Sequence, residues 1–558
     1  MTELRLVPSA LVVWGCMWLC LWQRTIWWPL IACAVVAVGL AIWQPAQGFL
    51  AGCMGACATA ITTMHITRVD MWQWGTTVAL EVVTPVKQTA TGWIFRAHMH
   101  GFPAEVPVLS KTQPSVEPGD HVMVTGTVSH SGSIGLSDAL LRAEGPTTVV
   151  SPPTGWSAIS THITQHFQQL VAAHTDGHAT GLIPAMVLGD TSLQSVQNVE
   201  LYATTGLAHL SAVSGGNVAI VTSWTAALAA VVGLGPRQRV IASMLALVCF
   251  VAVVGTEPSV LRAAVMGMVG LVAVLTYTRT PTIHALSIAI IGLLLWDCSL
   301  ATHFGFALSV AATAGIITLY PAIYRSLAIV DVTPNIVVRA LAIAIAADIS
   351  TMPIVMLMSG KVSAVSVLAN LLAAPVVPII TLIGLLAVVT SWLPVVPSFL
   401  INIIEPCADW IGLVATMLGG HTWTSIDQPF PESRGLSTLW AILGAMWLLT
   451  WFVVKPKLTL ATISCAMVAT IWWQYTPTVS TTELNVVTVA DEDEIAGKTA
   501  EEVFVVTQRS RRTRETMTTD GTPVYYATVP DRISTDRIWH DRHHGSATST
   551  SAPRSWRR

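Results

Sequence analysis

Residues 206–232 have the sequence GLAHLSAVSGGNVAIVTSWTAALAAVV, an apolar run longer than the about 20 residues needed to cross a bilayer. Comparable runs recur along the chain, separated by short polar segments. They lie near residues 7–22, 26–43, 48–64, 238–255, 259–276, 283–296, 303–323, 336–358, 363–388, 398–418, 437–454 and 458–474. Because a helix satisfies its own backbone hydrogen bonds in lipid, this pattern predicts a polytopic α-helical membrane protein.

The composition agrees with a membrane protein rather than with several soluble domains. Of the 558 residues, 53% are apolar and only 11% are charged, whereas soluble domains carry about 25% charged residues. The formal net charge of −3 provides no general attraction for nucleic acid. The nine cysteines form no CxxC or Cys/His spacing, so we interpret them as packing residues and predict neither a metal site nor a cofactor.

Residues 66–150 differ from the apolar runs on both sides, because they contain short segments rich in β-branched residues. These segments lie at 78–83, 92–99, 106–109, 121–128 and 147–150. Strands of this length separated by turn sequences predict a small β-barrel, with an OB-fold as the first candidate. OB-folds bind single strands by stacking bases on aromatic residues, so Trp93, Phe95 and Arg96 are candidate DNA contacts. The alternative is that these aromatic residues belong to the barrel core.

The remaining domain boundaries follow from the same patterns. Residues 1–65 are N-terminal transmembrane helices, 151–180 an amphipathic helix and linker, 181–475 the main transmembrane bundle, and 476–558 a truncated, mobile tail. In the linker, apolar residues of 155–175 repeat at helical spacing. This helix lies either on the membrane surface or against the barrel, and the sequence leaves both placements open.

The distribution of Lys and Arg predicts an orientation, because positively charged loops favour the cytoplasmic side. Alternate ends of the predicted spans carry Arg237 and Arg239, Arg279, Arg325 and Arg339, and Lys455 and Lys457. All of these become cytoplasmic if the barrel lies outside the cell, with the N-terminus inside and the C-terminal tail outside. Arg24, Lys361 and Arg434 are exceptions to this pattern.

Polar residues at the start of the quoted run exclude a plain membrane helix there. His209, Ser214 and Asn217 are unfavourable in lipid unless they face a cavity or another helix. The adjacent Gly215 and Gly216 weaken helical packing or permit a very close backbone contact. One interpretation is a tight crossing of small residues with His209 buried in the bundle. The other is a broken helix that lines a path for a polar solute.

Three further polar residues interrupt apolar runs. Arg262 follows Glu257 and Pro258 in the first turn of a predicted helix, where it pairs with Glu257, extends to the interface, or offers a cation to phosphate in a pore. Asp348 lies deep in an apolar run, and intramembrane carboxylates are by default functional candidates. Asn370 lies in another interrupted span.

These segments together resemble the ComEC-type competence channel family, which passes one strand of transforming DNA across the bacterial inner membrane. The matching residues, in family order, are Gly189-Asp190, Gly206-Leu207-Ala208-His209-Leu210, Ser214-Gly215, Pro258-Ser259-Val260-Leu261-Arg262-Ala263, Gly305-Phe306 with Leu308-Ser309, and residues 370–375. N-terminal helices followed by an OB-like region also agree with this family.

The chain departs from the family in two places. Gly216 and Asn217 stand where the family usually has Leu-His, so Asn217 keeps a hydrogen-bonding role but cannot act as an imidazole. Longer members end in a metallo-β-lactamase-like domain, and residues 483–496 resemble its start, but no HxHxDH motif follows. We therefore predict no nuclease activity and no catalytic residues. The His-rich residues 540–544 and the arginines of the tail are interpreted as solvated.

The resemblance implies a channel that imports single-stranded DNA across the bacterial cytoplasmic membrane in natural competence. The residues expected to line its path are His209, Ser214, Gly215, Gly216, Asn217, Arg262, Asp348 and Asn370. Expected partners are single-stranded DNA, the lipid bilayer, a DNA receptor, and a cytoplasmic ATPase or single-strand binding proteins; a homo-oligomer is an open alternative.

Two other functions remain open at this point. A proton-coupled secondary transporter of a small polar solute also uses interrupted helices and a carboxylate such as Asp348. An intramembrane hydrolase would use His209 and Ser214, but no GxSxG or HExxH motif supports it.

Overall fold

Three helices come first in a computed structural model, which describes residues 4–454 apart from 90–91, 131–133, 279, 329–334, 420–423 and 428–432, and four short strands after residue 485. They are α1 (Val7–Gln23), α2 (Trp27–Trp43) and α3 (Pro45–Asp70). The predicted N-terminal helices are confirmed, although α3 continues beyond its apolar run. Its threonine hydroxyls donate to carbonyls one turn earlier, as Thr62 Oγ1 does to Ala58 O at 2.8 Å, so polar residues do not end the helix.

Seven strands form the next region: β1 (Thr77–Val82), β2 (Lys87–Thr89), β3 (Gly92–His98), β4 (Glu105–Ser110), β5 (His121–His130), β6 (Ala139–Ala143) and β7 (Thr148–Ser151). Five of them close a barrel in the order β1-β3-β4-β6-β5, with β5 returning to β1. β4 and β6 run parallel, and the other neighbouring pairs are antiparallel. The predicted OB-like barrel is confirmed. β2 and β6 were not predicted, because one is three residues long and the other has no β-branched residue.

The barrel core is continuous with the apolar interior of neighbouring helices. Alternate residues of β1, β4 and β5 point inward, and Phe95, Val106 and Val124 are each at most 1% exposed. The same hydrophobic cluster includes Leu21 of α1 and Ile66 of α3, together with residues of later helices. The barrel therefore packs on the helices rather than extending from a free linker.

Arg24 fixes this contact between α1 and the barrel. Its Nη1 lies 3.0 Å from Asp70 Oδ1 at the end of α3, and its Nη2 donates to Gly135 O at 3.2 Å and Leu136 O at 3.3 Å. The structure thus gives a local reason why Arg24 does not follow the distribution of the other basic residues: its charge is used at the base of the barrel.

The predicted amphipathic helix is α4 (Gly155–His174), and it packs against protein on two sides. Thr161 Oγ1 donates to Pro118 O in a barrel loop at 2.9 Å, whereas Ser160 Oγ donates to Val253 O in the bundle at 2.7 Å. Phe167 of α4 is fully buried in a cluster formed by bundle helices. The helix therefore contacts a barrel loop, as one of the two open placements predicted, but it packs mainly against the bundle, which neither placement included.

The helices of the bundle are α5 (Gly177–Leu188), α6 (Val196–Thr204), α7 (Gly215–Val231), α8 (Pro236–Val254), α9 (Pro258–Leu275), α10 (Thr282–Trp296), α11 (Phe304–Leu327), α12 (Asn335–Ser359), α13 (Ser366–Ala373), α14 (Val377–Val389), α15 (Val396–Leu418) and α16 (Arg434–Val454). Short 3-10 helices lie at Ala208–Ser211 and Cys298–Thr302, and β8 (Lys361–Ser363) pairs with β9 (Ser425–Asp427). Among the described residues, six helices are long and apolar enough to cross a membrane, and α13 and α14, bent by 51°, make a seventh candidate. The polytopic helical class is confirmed.

The chain divides into two units, Met1–Ile463 and Ser464–Arg558. In the second, β10 (Val486–Val489), β11 (Glu502–Val506), β12 (Glu515–Met517) and β13 (Pro523–Ala527) form a sheet of order β10-β11-β13-β12. The sequence analysis did not predict this sheet. Arg279, Lys455, Lys457, the run 458–474, the tail arginines and residues 540–544 lie outside the described residues.

Substitution of Gly315 should disturb the close packing of α11 against α12. A Cβ at this position would lie 2.6 Å from Ser350 Cβ and 2.7 Å from Ala346 O, closer than atoms can approach. We expect Gly315→Ala to lower the free energy of unfolding by about 1–3 kcal/mol, the usual effect of overpacking. Gly292→Ala in α10 is the matched control, since nothing lies within 4 Å and Ala favours the helix. Thermal unfolding in detergent measures both, and an equal rise in midpoint would contradict the packing argument.

Candidate functional site

The segment between α6 and α7 is not helical over its whole length. Gly206 has φ +75°, a left-handed conformation that glycine adopts without strain. The 3-10 helix Ala208–Ser211 follows, Ser214 is extended, and α7 begins only at Gly215. The run 206–232 is therefore broken near its start, and His209, Ser214 and Asn217 fall within or beside the break.

Side chains of other elements bind the backbone at this break. Ser259 Oγ donates to Val213 O at 2.9 Å, and Asn217 Nδ2 donates to Met186 O at 2.8 Å. Asn217 is 4% exposed, and Ser214 Oγ donates to its Oδ1 at 3.3 Å. Met186 is in the last turn of α5, where a carbonyl has no partner within its own helix. Asn217 thus joins two helix ends, one at which α5 stops and one at which α7 starts.

His209 lies in the 3-10 helix of the break, and its side chain is exposed. Its Nδ1 lies 3.2 Å from Gly206 O, which leaves Nε2 as the ring atom without a partner in the described residues. Ser214 bonds to Asn217 instead, so the described structure forms no Ser–His pair of a hydrolase.

Arg262 is a buried guanidinium without a carboxylate. It is 7% exposed, its Nε donates to Ser309 Oγ at 2.8 Å, and its Nη1 lies 3.3 Å from Met266 Sδ. Among the described residues, no ion pair includes Arg262. The predicted alternatives of pairing with Glu257 or extending to the interface are therefore wrong, because the side chain turns into the bundle.

The free nitrogen of Arg262 faces the start of α7. A Cβ at Gly215 would lie 3.5 Å from Arg262 Nη2, so the guanidinium is next to the first turn of this helix. The side chain of Ser214, the residue before the helix, accepts no backbone hydrogen bond from the turn that it precedes in the described structure. Unpaired N–H groups and the helix dipole give such a turn a partial positive charge. The two positive features together favour an anion between them.

A second polar group forms around Ser366 at the start of α13. Ser366 Oγ donates to Asp348 Oδ1 at 2.6 Å and accepts from Asn370 Nδ2 at 3.3 Å. A Cβ at Gly206 would lie 2.6 Å from Ser366 Cβ, so the turn at Gly206 rests directly on this serine. The partner of Asp348, which the sequence did not identify, is therefore a hydroxyl rather than a cation.

The barrel residues predicted to contact DNA do not share one face. Successive side chains of a strand point to opposite sides, so Trp93 and Phe95 lie on one side of β3 and Arg96 lies on the other. Phe95 is 1% exposed and belongs to the barrel core, which corrects its assignment as a stacking platform. Arg96 is half exposed, and its Nη1 lies 3.6 Å from Glu105 Oε2.

Arg96 also lies near the start of α11, the helix that contains the matching residues Gly305 and Phe306. Burial lowers the pKa of His303, the positive charge of Arg96 lowers it further, and Glu257 and Asp297 oppose the shift. His303 Nδ1 accepts from Gly305 N at 3.1 Å and caps α11. The neutral imidazole is the form that performs this capping, so its environment favours an ordered start of α11.

The structure thus brings most of the predicted bundle residues together through one segment. The break between α6 and α7 contacts the Asp348–Ser366–Asn370 group at its first residue, Gly206. At its other end, Gly215 lies beside Arg262. The serines that complete both groups, Ser259, Ser309 and Ser366, were not singled out from the sequence. A hydroxyl is common in apolar helices, so only its position after a break would have indicated a role. Among the described residues, no group of three or more His, Cys, Asp or Glu could hold a metal ion.

Residues 186–455 match a family described as Competence protein. This range contains the break at 206–217, Arg262, Asp348 and Asn370. The domain they form is a member of the competence-protein family. The resemblance seen in the sequence is thereby confirmed for this competence domain.

One curated relative matches as well. ComE operon protein 3 of Bacillus subtilis (strain 168) is 28% identical over 200 residues, which is 35% of this chain and 24% of that protein. The match thus spans about a quarter of the relative's length. No solved structure matches the chain.

Removal of the Asn217 amide should weaken the competence domain without disturbing its surface. Asn217→Ala leaves the Met186 carbonyl without its partner, and a buried unsatisfied polar group costs about 1–3 kcal/mol of unfolding free energy. Asn402→Ala is the matched control, because Asn402 is exposed on α15. Thermal unfolding in detergent compares the variants, and equal midpoints for both would refute the role of Asn217 in holding the break.

Proposed function

We propose that this multi-pass membrane protein imports single-stranded DNA across the bacterial cytoplasmic membrane during natural competence. The competence-protein family and the ComE operon protein 3 relative support a role in this process. The observation that carries the channel proposal is the buried Arg262 guanidinium, which has no carboxylate partner in the described chain and faces the start of α7. A repeating phosphodiester is a ligand that supplies the missing anion at every step of its passage.

Each polar group of the site has a separate part in this proposal. Ser309 fixes the guanidinium through Nε and leaves Nη2 for a phosphate oxygen. Gly215 keeps space beside it that a side chain would fill. His209 contributes an exposed imidazole beside the break, and Asn217 keeps the helix ends in place. Conduction requires contacts strong enough to admit the strand and weak enough to release it, so one cation is better suited than a cluster.

The orientation and the partners belong to the same proposal. The barrel and the C-terminal segment lie outside the cell and the N-terminus inside, in agreement with the positions of Arg237, Arg239 and Arg325. A receptor delivers the strand from outside, and a cytoplasmic ATPase or single-strand binding proteins draw it in. In this proposal the chain does not act as a nuclease, and a second enzyme degrades the other strand.

Import of labelled DNA in a naturally transformable host tests the function. Deletion of the gene should abolish transfer of label into the nuclease-protected cytoplasmic pool and leave surface binding intact. Unchanged import after deletion would refute the proposal.

Substitution of Arg262 tests the carrying observation in the same assay. Charge-assisted hydrogen bonds contribute about 1.5–3 kcal/mol, so Arg262→Ala should reduce import by about tenfold or more. Arg262→Lys should restore part of it, because lysine keeps the charge but not the planar fork. Arg325→Ala, an exposed arginine bonded only to Pro321 O of its own helix, is the control. Normal import by Arg262→Ala, with normal protein levels, would remove Arg262 from the path.

Asp348 is the observation that favours the second candidate, a proton-coupled transporter of a small polar solute. Asp348 is bonded to a hydroxyl rather than a cation, so its proton can exchange without breaking an ion pair. Asp348→Asn keeps the acceptor for Ser366 but cannot ionise. A DNA channel should keep most of its import activity in this variant, whereas a proton-coupled carrier in proteoliposomes should stop. Solute uptake coupled to a proton gradient, and lost in Asp348→Asn, would decide for the transporter.

A further inference from the structure

A cleft of about 280 Å³ lies where α3 meets the barrel. It is lined by the segment that connects α3 to β1, including Trp72, Gln73 and Trp74, and by Met99 and His100 at the end of β3. The candidate DNA contacts Trp93 and Arg96 are not among its lining residues. The cleft is therefore separate from the face that the sequence suggested.

The two tryptophans of this cleft are held in fixed positions by the barrel. The ring centroids of Trp72 and Trp74 lie 5.4 Å and 5.1 Å from that of Phe102, with the ring planes inclined by 66° and 61°. Phe102 is 1% exposed, and both indoles pack on the hydrophobic cluster of the barrel while remaining partly exposed. Gly101, at φ +82°, carries the loop past Trp72 at van der Waals distance. Such rings need little ordering when a ligand binds.

The chemistry of the cleft fits a flat aromatic ligand with polar edges. The indoles supply ring surfaces, and Gln73, Thr77 and His100 supply donors and acceptors around them. Among the described residues that line the cleft there is no Asp or Glu, which suits a polyanion. Nucleobases combine a π-face with a hydrogen-bonding edge, and every base stacks on an aromatic side chain.

We propose that the Trp72–Trp74 cleft binds an unstacked base of single-stranded DNA as the strand reaches the barrel. This inference rests on the proposed function and adds the site at which the strand is received. Tryptophans beside a membrane helix also serve as interface anchors, which contact lipid headgroups. The cleft favours the base, because both rings pack on Phe102 around a polar-edged recess rather than projecting singly toward lipid.

Binding of a labelled deoxythymidine oligomer to the full chain in nanodiscs tests the site. Fluorescence anisotropy should show that Trp72→Ala with Trp74→Ala weakens binding by about 5- to 100-fold, as expected for lost base stacking. Trp72→Phe with Trp74→Phe should restore most of the affinity, because phenylalanine keeps an aromatic face. Trp156→Ala, a half-exposed tryptophan on α4, is the matched control and should bind as the wild type does.

An abasic oligomer separates stacking from charge and does not depend on any variant. It carries the same phosphates without bases, so the wild-type chain should bind it as weakly as the alanine variant binds deoxythymidine. Equal wild-type affinity for both oligomers would overturn the proposal, and so would unchanged binding by a folded alanine variant. If the wild type prefers bases but the alanine variant keeps its DNA binding and loses only its contact with lipid, the tryptophans are interface anchors and the base site lies elsewhere.

The failure of this inference is distinguishable from the failure of the proposed function. If deletion abolishes import but the alanine variant binds and imports normally, the cleft is not the receiving site and the channel proposal stands. If deletion leaves import unchanged, the channel proposal itself is wrong.

Discussion

Backbone groups that leave a helix inside a membrane protein must find partners within the protein, and this requirement governs the break before α7. The carbonyls of Val213 and Met186 receive the hydroxyl of Ser259 and the amide of Asn217, which act in place of water. Ser259 belongs to α9, and Asn217 in the first turn of α7 reaches the end of α5, so the break is stable only when these helices are assembled. These polar residues in apolar segments stabilise the interrupted backbone, because they supply its missing hydrogen bonds.

A shortage of polar partners also determines the environment of Arg262. A structural arginine inside a bundle is normally neutralised by a carboxylate, because an isolated buried charge is strongly unfavourable. Here one nitrogen is held by Ser309, another lies against a sulfur, and the third faces a glycine at a helix start. Desolvation therefore remains uncompensated in the described chain. In the proposed channel, an anion from outside the chain removes this penalty, and a phosphate of the strand is that anion.

Periodicity and composition were sufficient to predict the helices, the barrel and the position of the break, since these depend on local patterns. They could not predict which residues meet across the chain. Gly206 is far from Asp348 and Ser366 in sequence, and nothing in these runs indicates that the turn at Gly206 rests on Ser366. The assignment of Phe95 failed for a related reason, because an aromatic residue on a strand has the same sequence signature whether it faces the core or a ligand. Only the strand register, which places Phe95 and Arg96 on opposite sides of β3, distinguishes a core residue from a ligand contact.

Barrel and bundle share one hydrophobic cluster, and this continuity makes two kinds of contact with a strand compatible in one molecule. Stacking on indoles reads the bases and is little affected by salt, whereas a guanidinium reads the phosphates and weakens as counterions compete. A strand held by its bases at the barrel presents its backbone freely to the next cation. Because Arg24 links α1 to both α3 and the barrel, the distance between these contacts is set by the fold and not by a flexible linker. In the proposed channel, the strand passes from a base contact at the barrel to a phosphate contact at Arg262 without the movement of a domain.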